Sequence, residues 1–238
     1  MNVNSNAYTF GFAGILVILV AAALASAATI LKPFQDKNVE QEKMQNILSS
    51  IGVDKTRDEA AEVFDEYVVD KLVLSGGEVV EGMDAFGVVM EKEARRPNDE
   101  RNAPLYIAEK DGETYYVIPL RGTGLWGPIW GYIALESDVN TIYGAVFDHK
   151  GETPGLGAEI TTPAFTEQFK GKKILEGGDL VSISVVKANA DTPYEVDGIS
   201  GGTITSNGVE AMIQDCLASY YPFLEEYAGT TASAQLNN

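Results

Sequence analysis

The first long apolar stretch, Phe10 to Leu31, contains no charged residue, and its only hydroxyls are Ser26 and Thr29. At about 1.5 Å per residue it reaches across about 30 Å of hydrocarbon, which predicts a transmembrane helix. Ala25-Ser26-Ala27 has the small-residue pattern of a signal cleavage site. Residues 1–9, however, carry no Lys or Arg, and the apolar run continues through Ile30 and Leu31, which favours a retained anchor over a cleaved signal. Pro33 is expected to end or kink the span. After it, Val39, Met44, Ile47, Leu48 and Ile51 recur at helical spacing until Gly52. Thr56 and Glu59 then stand at capping-box spacing ahead of Ala60, Val63, Phe64 and Tyr67, predicting a second helix. Gly76, Gly77 and Gly82 divide the next region into short pieces. Glu91 to Arg101, charged and containing Pro97, reads as a solvated linker.

The period then changes from helical to alternating. Leu105–Ala108 and Thr114–Leu120 flank Asp111-Gly112, a strong hairpin signal. Trp130–Leu135, Thr141–Phe147 and Leu180–Val186 read as further strands, and Pro163–Phe169 as a helix with proline near its start. A last helix is expected from about Asn207 to Tyr227, with Val209, Met212, Ile213, Cys216, Leu217 and Tyr220 on one face and Asn207 and Glu210 as a capping pair. The tail after Ala228 is small and polar and is expected to be disordered. These patterns predict an α+β chain: one N-terminal transmembrane helix, then a twisted antiparallel sheet with packed helices. The expected divisions are a tail at 1–9, the span at 10–31, a helical connecting region at 32–102, a domain at 103–228 and a disordered tail at 229–238.

Charge narrows the partners. With 35 acidic against 17 basic residues and a formal net charge of −18, nucleic acid is excluded, because phosphate backbones demand clustered Lys and Arg. Cys216 is the single cysteine, so no internal disulfide forms, and its apolar neighbours suit a buried position rather than a nucleophile. His149 is the single histidine. Beside Asp148 it could act as a base in an anchored hydrolase, but a multi-histidine metal site is ruled out. Lys32, Lys37 and Lys43 follow the span and nothing basic precedes it, so by flanking charge alone the large domain would stay in the cytoplasm.

Three segments carry the candidate chemistry. Asp197-Gly-Ile-Ser200-Gly-Gly-Thr203-Ile-Thr205-Ser206 places hydroxyls and small residues just ahead of a helix, where free N–H groups hold phosphate; the same residues also suit an ordinary cap and turn. Arg121 to Tyr132 sets four glycines among Trp126, Trp130 and Tyr132, and Gly151-Glu-Thr-Pro-Gly-Leu-Gly157 is a second glycine loop. Together they favour one planar, phosphate-bearing ligand.

The Asp197…Ser200-Gly-Gly-Thr203 stretch resembles the flavinylation motif Asp-x-x-Ser/Thr-Gly-Ala-Thr of proteins with an FMN-binding domain. With Gly-Leu-Trp126 and Gly-Glu-Thr-Pro-Gly-Leu-Gly157, nearly the whole chain is similar to the C subunits of Na⁺-translocating NADH:quinone reductases. The resemblance implies a flavoprotein whose FMN phosphate is esterified by a flavin transferase to the motif threonine, here Thr203, with Thr205 as the fallback. It implies that Asp197 assists transfer or orients the loop, and that Ser200 and Gly201 form the turn that admits the phosphate. Gly202 departs from the pattern, which has alanine there. The helix expected to start at Asn207 would stabilise the phosphodiester, and Trp126, Thr153 and Leu156 would line the isoalloxazine ring. Residues 103–228 become the FMN-binding domain. Implied partners are the other subunits of the membrane complex, the transferase and membrane lipid. The implied location is the periplasmic face of a bacterial inner membrane, against the lysine count. No catalysis by the chain alone is implied. The G subunit of ion-translocating ferredoxin:NAD⁺ oxidoreductases is similar around the same motif, and a tethered ligand-binding module without covalent flavin is the alternative of another class.

Overall fold

The computed structural model describes residues 5–236. It divides into two compact units, residues 1–43 and 44–238. The first is helical: α1 spans Asn6–Ser50 and contributes its last residues to the second unit. Its apolar window has a mean hydropathy of 2.6 with 0% of it buried, so this helix is long and apolar enough to cross a membrane. Pro33 lies inside α1 rather than ending it. The span expected at 10–31 therefore runs on without a break. Residues 1–4 of the expected tail at 1–9 lie outside the described residues, and helix begins at Asn6.

The second unit is built on one sheet. After α2 (Arg57–Tyr67) come β1 (Val68–Ser75), β2 (Glu78–Val79), the short α3 (Met90–Glu93), β3 (Ala103–Lys110), β4 (Glu113–Thr123), β5 (Pro128–Leu135) and β6 (Ile142–His149). The six strands pair antiparallel in the order β2-β1-β3-β4-β5-β6. The Asp111-Gly112 hairpin forms as expected: Asp111 and Gly112 have φ of 55° and 86°, the left-handed pair that a type I′ turn requires. Both faces of the sheet are covered. Along β4, Tyr116, Ile118 and Leu120 enter the core shared with Phe169, Ile213, Leu217 and Tyr220, whereas Tyr115 and Val117 enter the core of Ile47, Leu48, Phe64 and Tyr106. Alternation with both faces buried makes these strands read as nearly continuous apolar runs.

The chain continues through α4 (Pro163–Thr166), the hairpin β7 (Leu175–Glu176) and β8 (Asp179–Leu180), the parallel pair β9 (Ser184–Val186) and β10 (Glu195–Asp197), and α5 (Thr203–Leu236). Four stretches depart from the sequence expectations. The stretch 32–102, expected to be helical and connecting, contributes β1 to the sheet. Asp70 and Lys71 separate the apolar pair Val68-Val69 from Leu72-Val73-Leu74, and the register shifts between Val68 and Asp70, so no alternation marks the strand in the sequence. Leu180–Val186 is not one strand: Ser182, at φ 63°, breaks it into β8 and β9. The last helix begins at Thr203, ahead of the expected Asn207, and Glu210 does not cap it; its Oε2 accepts the Val185 N–H at 2.8 Å and ties β9 to α5. That helix continues to Leu236 through most of the tail expected at 229–238, of which 237–238 lie outside the described residues.

The charged stretch 91–101 is the fourth, because it ends on a buried arginine rather than in solvent: Arg101 is 8% exposed. The guanidinium donates to both Asp215 carboxylate oxygens, at 2.8 and 3.2 Å, and to the carbonyls of Ala94 and Arg96 at 3.1 and 2.9 Å. It thereby fastens this segment to α5. Arg101→Met should destabilise the soluble unit by about 2–3 kcal/mol, because the carbonyls and half of a bidentate pair lose their partner. The check is a lower urea midpoint at unchanged slope.

Candidate functional site

The three glycine segments meet at the N-terminus of α5. The first bond of the helix runs from Ser206 N–H to Gly202 O at 2.9 Å, so the N–H groups of Thr203, Ile204 and Thr205 precede the ladder and point out of the helix start. Gly201, at φ 75°, makes the left-handed turn into it. Ser206 turns its hydroxyl back to accept the Ile199 N–H at 3.0 Å, which holds the preceding loop closed. Gly202, where the resembling family has alanine, is tightly bounded: a Cβ there would lie 3.0 Å from Ile199 Cγ2, so Ile199 occupies the room a methyl group would need.

The two threonines of the motif have opposite environments. Thr203 is exposed at the first position of the helix. Thr205 is 1% exposed, and its hydroxyl donates to Glu152 Oε2 at 2.6 Å. The other oxygen of Glu152 accepts the backbone N–H of Trp126 at 2.8 Å. Glu152 thus joins the loop between β4 and β5 to the first turn of α5. Gly157 makes this contact possible, because a Cβ on it would fall 2.5 Å from Glu152 Oε2 and against the Thr205 hydroxyl.

A cleft of about 370 Å³ opens beside Thr203, lined by Leu125, Trp126, Thr153, Leu156 and the 201–205 turn. Its apolar walls face outward: Trp126 is 68% exposed and Ile204 59%. A second cleft of about 610 Å³ is lined by Val186, Lys187, Gly198, Ser200 and Asn207, and Thr203 and Gly201 border both. Of the residues singled out in the sequence, Thr203, Gly201, Trp126, Thr153 and Leu156 meet in the first cleft, while Ser200 faces only the second. Asp197 lines neither. Its carboxylate accepts the Ala190 N–H at 2.7 Å and its backbone pairs with the Gln168 amide at 2.8 and 3.3 Å, so it anchors the 187–190 loop. Glu152 is a member of the site that the sequence does not single out; only its place inside a glycine loop hints at close packing.

The Asp148 carboxylate accepts the backbone N–H of His149, and the ring Nδ1 of His149 accepts the Glu152 N–H at 3.1 Å. Both groups are thus turned to backbone partners and not to each other, as a hydrolytic pair would need. Among the described residues no group of His, Cys, Asp or Glu is placed to hold a metal ion. Cys216 is buried on α5 against the Arg121 backbone, and burial pushes its thiol up to about 11. Any stability from keeping it protonated is full below the ordinary thiol range of about 8.5 and falls as pH rises toward the folded value. Native Cys216 should resist iodoacetamide at pH 8 and react on unfolding in urea, followed as the mass of the alkylated peptide.

An exposed hydroxyl, three unpaired N–H groups at a helix start and an apolar cleft fit a planar molecule that carries a phosphate. A family model described as an FMN-binding domain matches residues 124–218, which include the Gly151–Gly157 and Asp197–Ser206 segments and all but the first three residues of Arg121–Tyr132. The C subunit of the Na⁺-translocating NADH-quinone reductase of Haemophilus ducreyi is 31% identical, with 92% of this chain and 93% of that protein covered. The chain belongs to the C-subunit family of these reductases. Two crystal structures extend the likeness to the fold. The C subunit from Parabacteroides distasonis is 47% identical with a TM-score of 0.76, covering 82% of this chain and 96% of that one. NqrC of Shewanella oneidensis is 25% identical with a TM-score of 0.68, covering 80% and 98%. As a member of the C-subunit family the chain is an α+β flavoprotein with an FMN-binding domain, and the matched segment falls within the expected 103–228.

Proposed function

We propose that this chain is the membrane-anchored electron-carrying subunit of a Na⁺-translocating NADH:quinone reductase, holding FMN through a phosphoester to Thr203. The observation that carries the reading is the contrast within the motif: the Thr203 hydroxyl is exposed at the cleft, whereas the Thr205 hydroxyl is buried and committed to Glu152. Bound FMN supplies one- and two-electron redox chemistry. Attachment would form a bond from Thr203 Oγ1 to the phosphorus and break the bond between phosphorus and the leaving group of the transferase's flavin donor, with the hydroxyl proton passing to that leaving group or to solvent. The N–H groups at the start of α5, with the helix dipole, hold the remaining phosphate charge. Trp126, Leu156 and Ile204 offer apolar faces that exclude water from the ring, and Thr153 completes the wall. Ser200 and Gly201 shape the turn, and Asp197 braces the neighbouring loop.

In this reading the chain makes and breaks no substrate bonds itself. Its partners are the other subunits of the complex, the flavin transferase that matures it and the lipid around α1. The domain lies on the periplasmic side of the inner membrane; a large translocated domain overrides three flanking lysines. The test is mass spectrometry of the peptide containing Thr203 and Thr205 from protein made with the transferase. The expected result is one FMN adduct on Thr203. An unmodified peptide from a competent host would refute the attachment.

A further inference from the structure

Glu152 is the single buried acidic residue among the described residues, 5% exposed, and no Lys or Arg stands within ion-pair distance of it there. Its room is made by two glycines from two different loops. A Cβ on Gly124 would lie 2.6 Å from Oε1, and one on Gly157 would lie 2.5 Å from Oε2. Its backbone N–H is set by His149 Nδ1 at 3.1 Å. It lines the same cleft as Thr203, Trp126 and Leu156.

Bridging Trp126 to Thr205 does not by itself call for a carboxylate. A glutamine of the same length would accept the Trp126 N–H through its carbonyl and donate its amide to Thr205 Oγ1. What glutamine lacks is the charge. Burying a carboxylate that has hydrogen bonds but no Lys or Arg beside it is less favourable than burying a neutral amide, so its presence at this wall points to a use for the charge.

We propose that Glu152 is the positioning and potential-setting residue of the flavin cleft. It ties the Trp126 loop to the first turn of α5, and its negative charge opposes the arrival of electrons on the bound flavin. The physical basis is that a like charge in a water-poor wall acts at reduced screening. The inference rests on the FMN–Thr203 reading.

Full-length wild type, E152Q and E152D would be produced with the transferase, purified in detergent and titrated with dithionite and redox mediators. E152Q should carry FMN on Thr203 as wild type does. Its redox equilibrium should move at least roughly tenfold toward the reduced form, a rise of about 59 mV for a one-electron couple. E152D keeps the charge while shortening the reach, and should stay within about threefold of wild type. A loaded E152Q at the wild-type potential overturns the proposal, and so does an E152D shift equal to that of E152Q. An E152Q protein that does not fold or take up FMN makes Glu152 structural and also overturns it. Wild type without flavin on Thr203 removes the underlying reading as well, and that is seen before any variant is compared.

Discussion

Thr203→Val protein, produced beside the flavin transferase, should show no covalent flavin: its denatured band loses all fluorescence while wild type keeps it. Valine retains the shape of threonine and removes the oxygen. The site is exposed, so folding stability should stay within about 0.5 kcal/mol of wild type. Thr205 should not take over. Its hydroxyl is 1% exposed and already donates to Glu152 Oε2 at 2.6 Å, so it presents no free nucleophile to an approaching transferase. Thr205→Val should therefore keep the Thr203 adduct and instead lose stability, by about 1–2 kcal/mol, because a buried carboxylate oxygen loses its donor. Residual fluorescence in Thr203→Val, traced to Thr205 by peptide mapping, would show that accessibility does not choose between the two.

Gly157→Ala should be the most damaging small substitution at the site. The added methyl would stand 2.5 Å from Glu152 Oε2 and against the Thr205 side chain, so either the hydrogen bond parts or the 151–157 loop moves off α5. Overpacking and a broken buried hydrogen bond together cost about 2–4 kcal/mol. For a domain of this size that lowers the melting temperature by about 5–15 °C. Gly151→Ala is the control, since a Cβ there meets nothing within 4 Å, and its melting temperature should not change. Equal melting temperatures for the two variants would mean that the loop is not clamped through Glu152. Covalent flavin should also fall in Gly157→Ala, because Leu156 and Thr153 line the cleft from the same loop.

Much of the architecture is legible in the sequence because local chemistry and tertiary demand agree. Asp111-Gly112 supplies the two left-handed residues that its turn needs. The stripe from Val209 to Tyr220 on α5 lies in the core as its spacing requires. Val68–Ser75 is hidden because Asp70 and Lys71 split its apolar residues into two adjacent clusters with no alternation, and only pairing with β3 reveals it as a strand. The start of α5 is expected too late for a related reason. Gly201, Gly202, Thr203 and Ser206 suit a turn and a helix start equally, and the choice depends on where Ser206 finds its acceptor, the carbonyl of Gly202. Arg101 escapes notice because a run of charges gives no sign that one member lies beneath α5.

By itself the sequence determined the apolar helix, the hairpin of β3 and β4, the amphipathic last helix and a flavinylation-like motif in which two threonines were candidates. These depend on residues a few positions apart, where period, turn chemistry and motif spacing act directly. Only the tertiary structure decided that Glu152, far from the motif along the chain, buries Thr205 and leaves Thr203 open. Burial is a property of what packs against a residue from elsewhere in the chain, so no local pattern can state it.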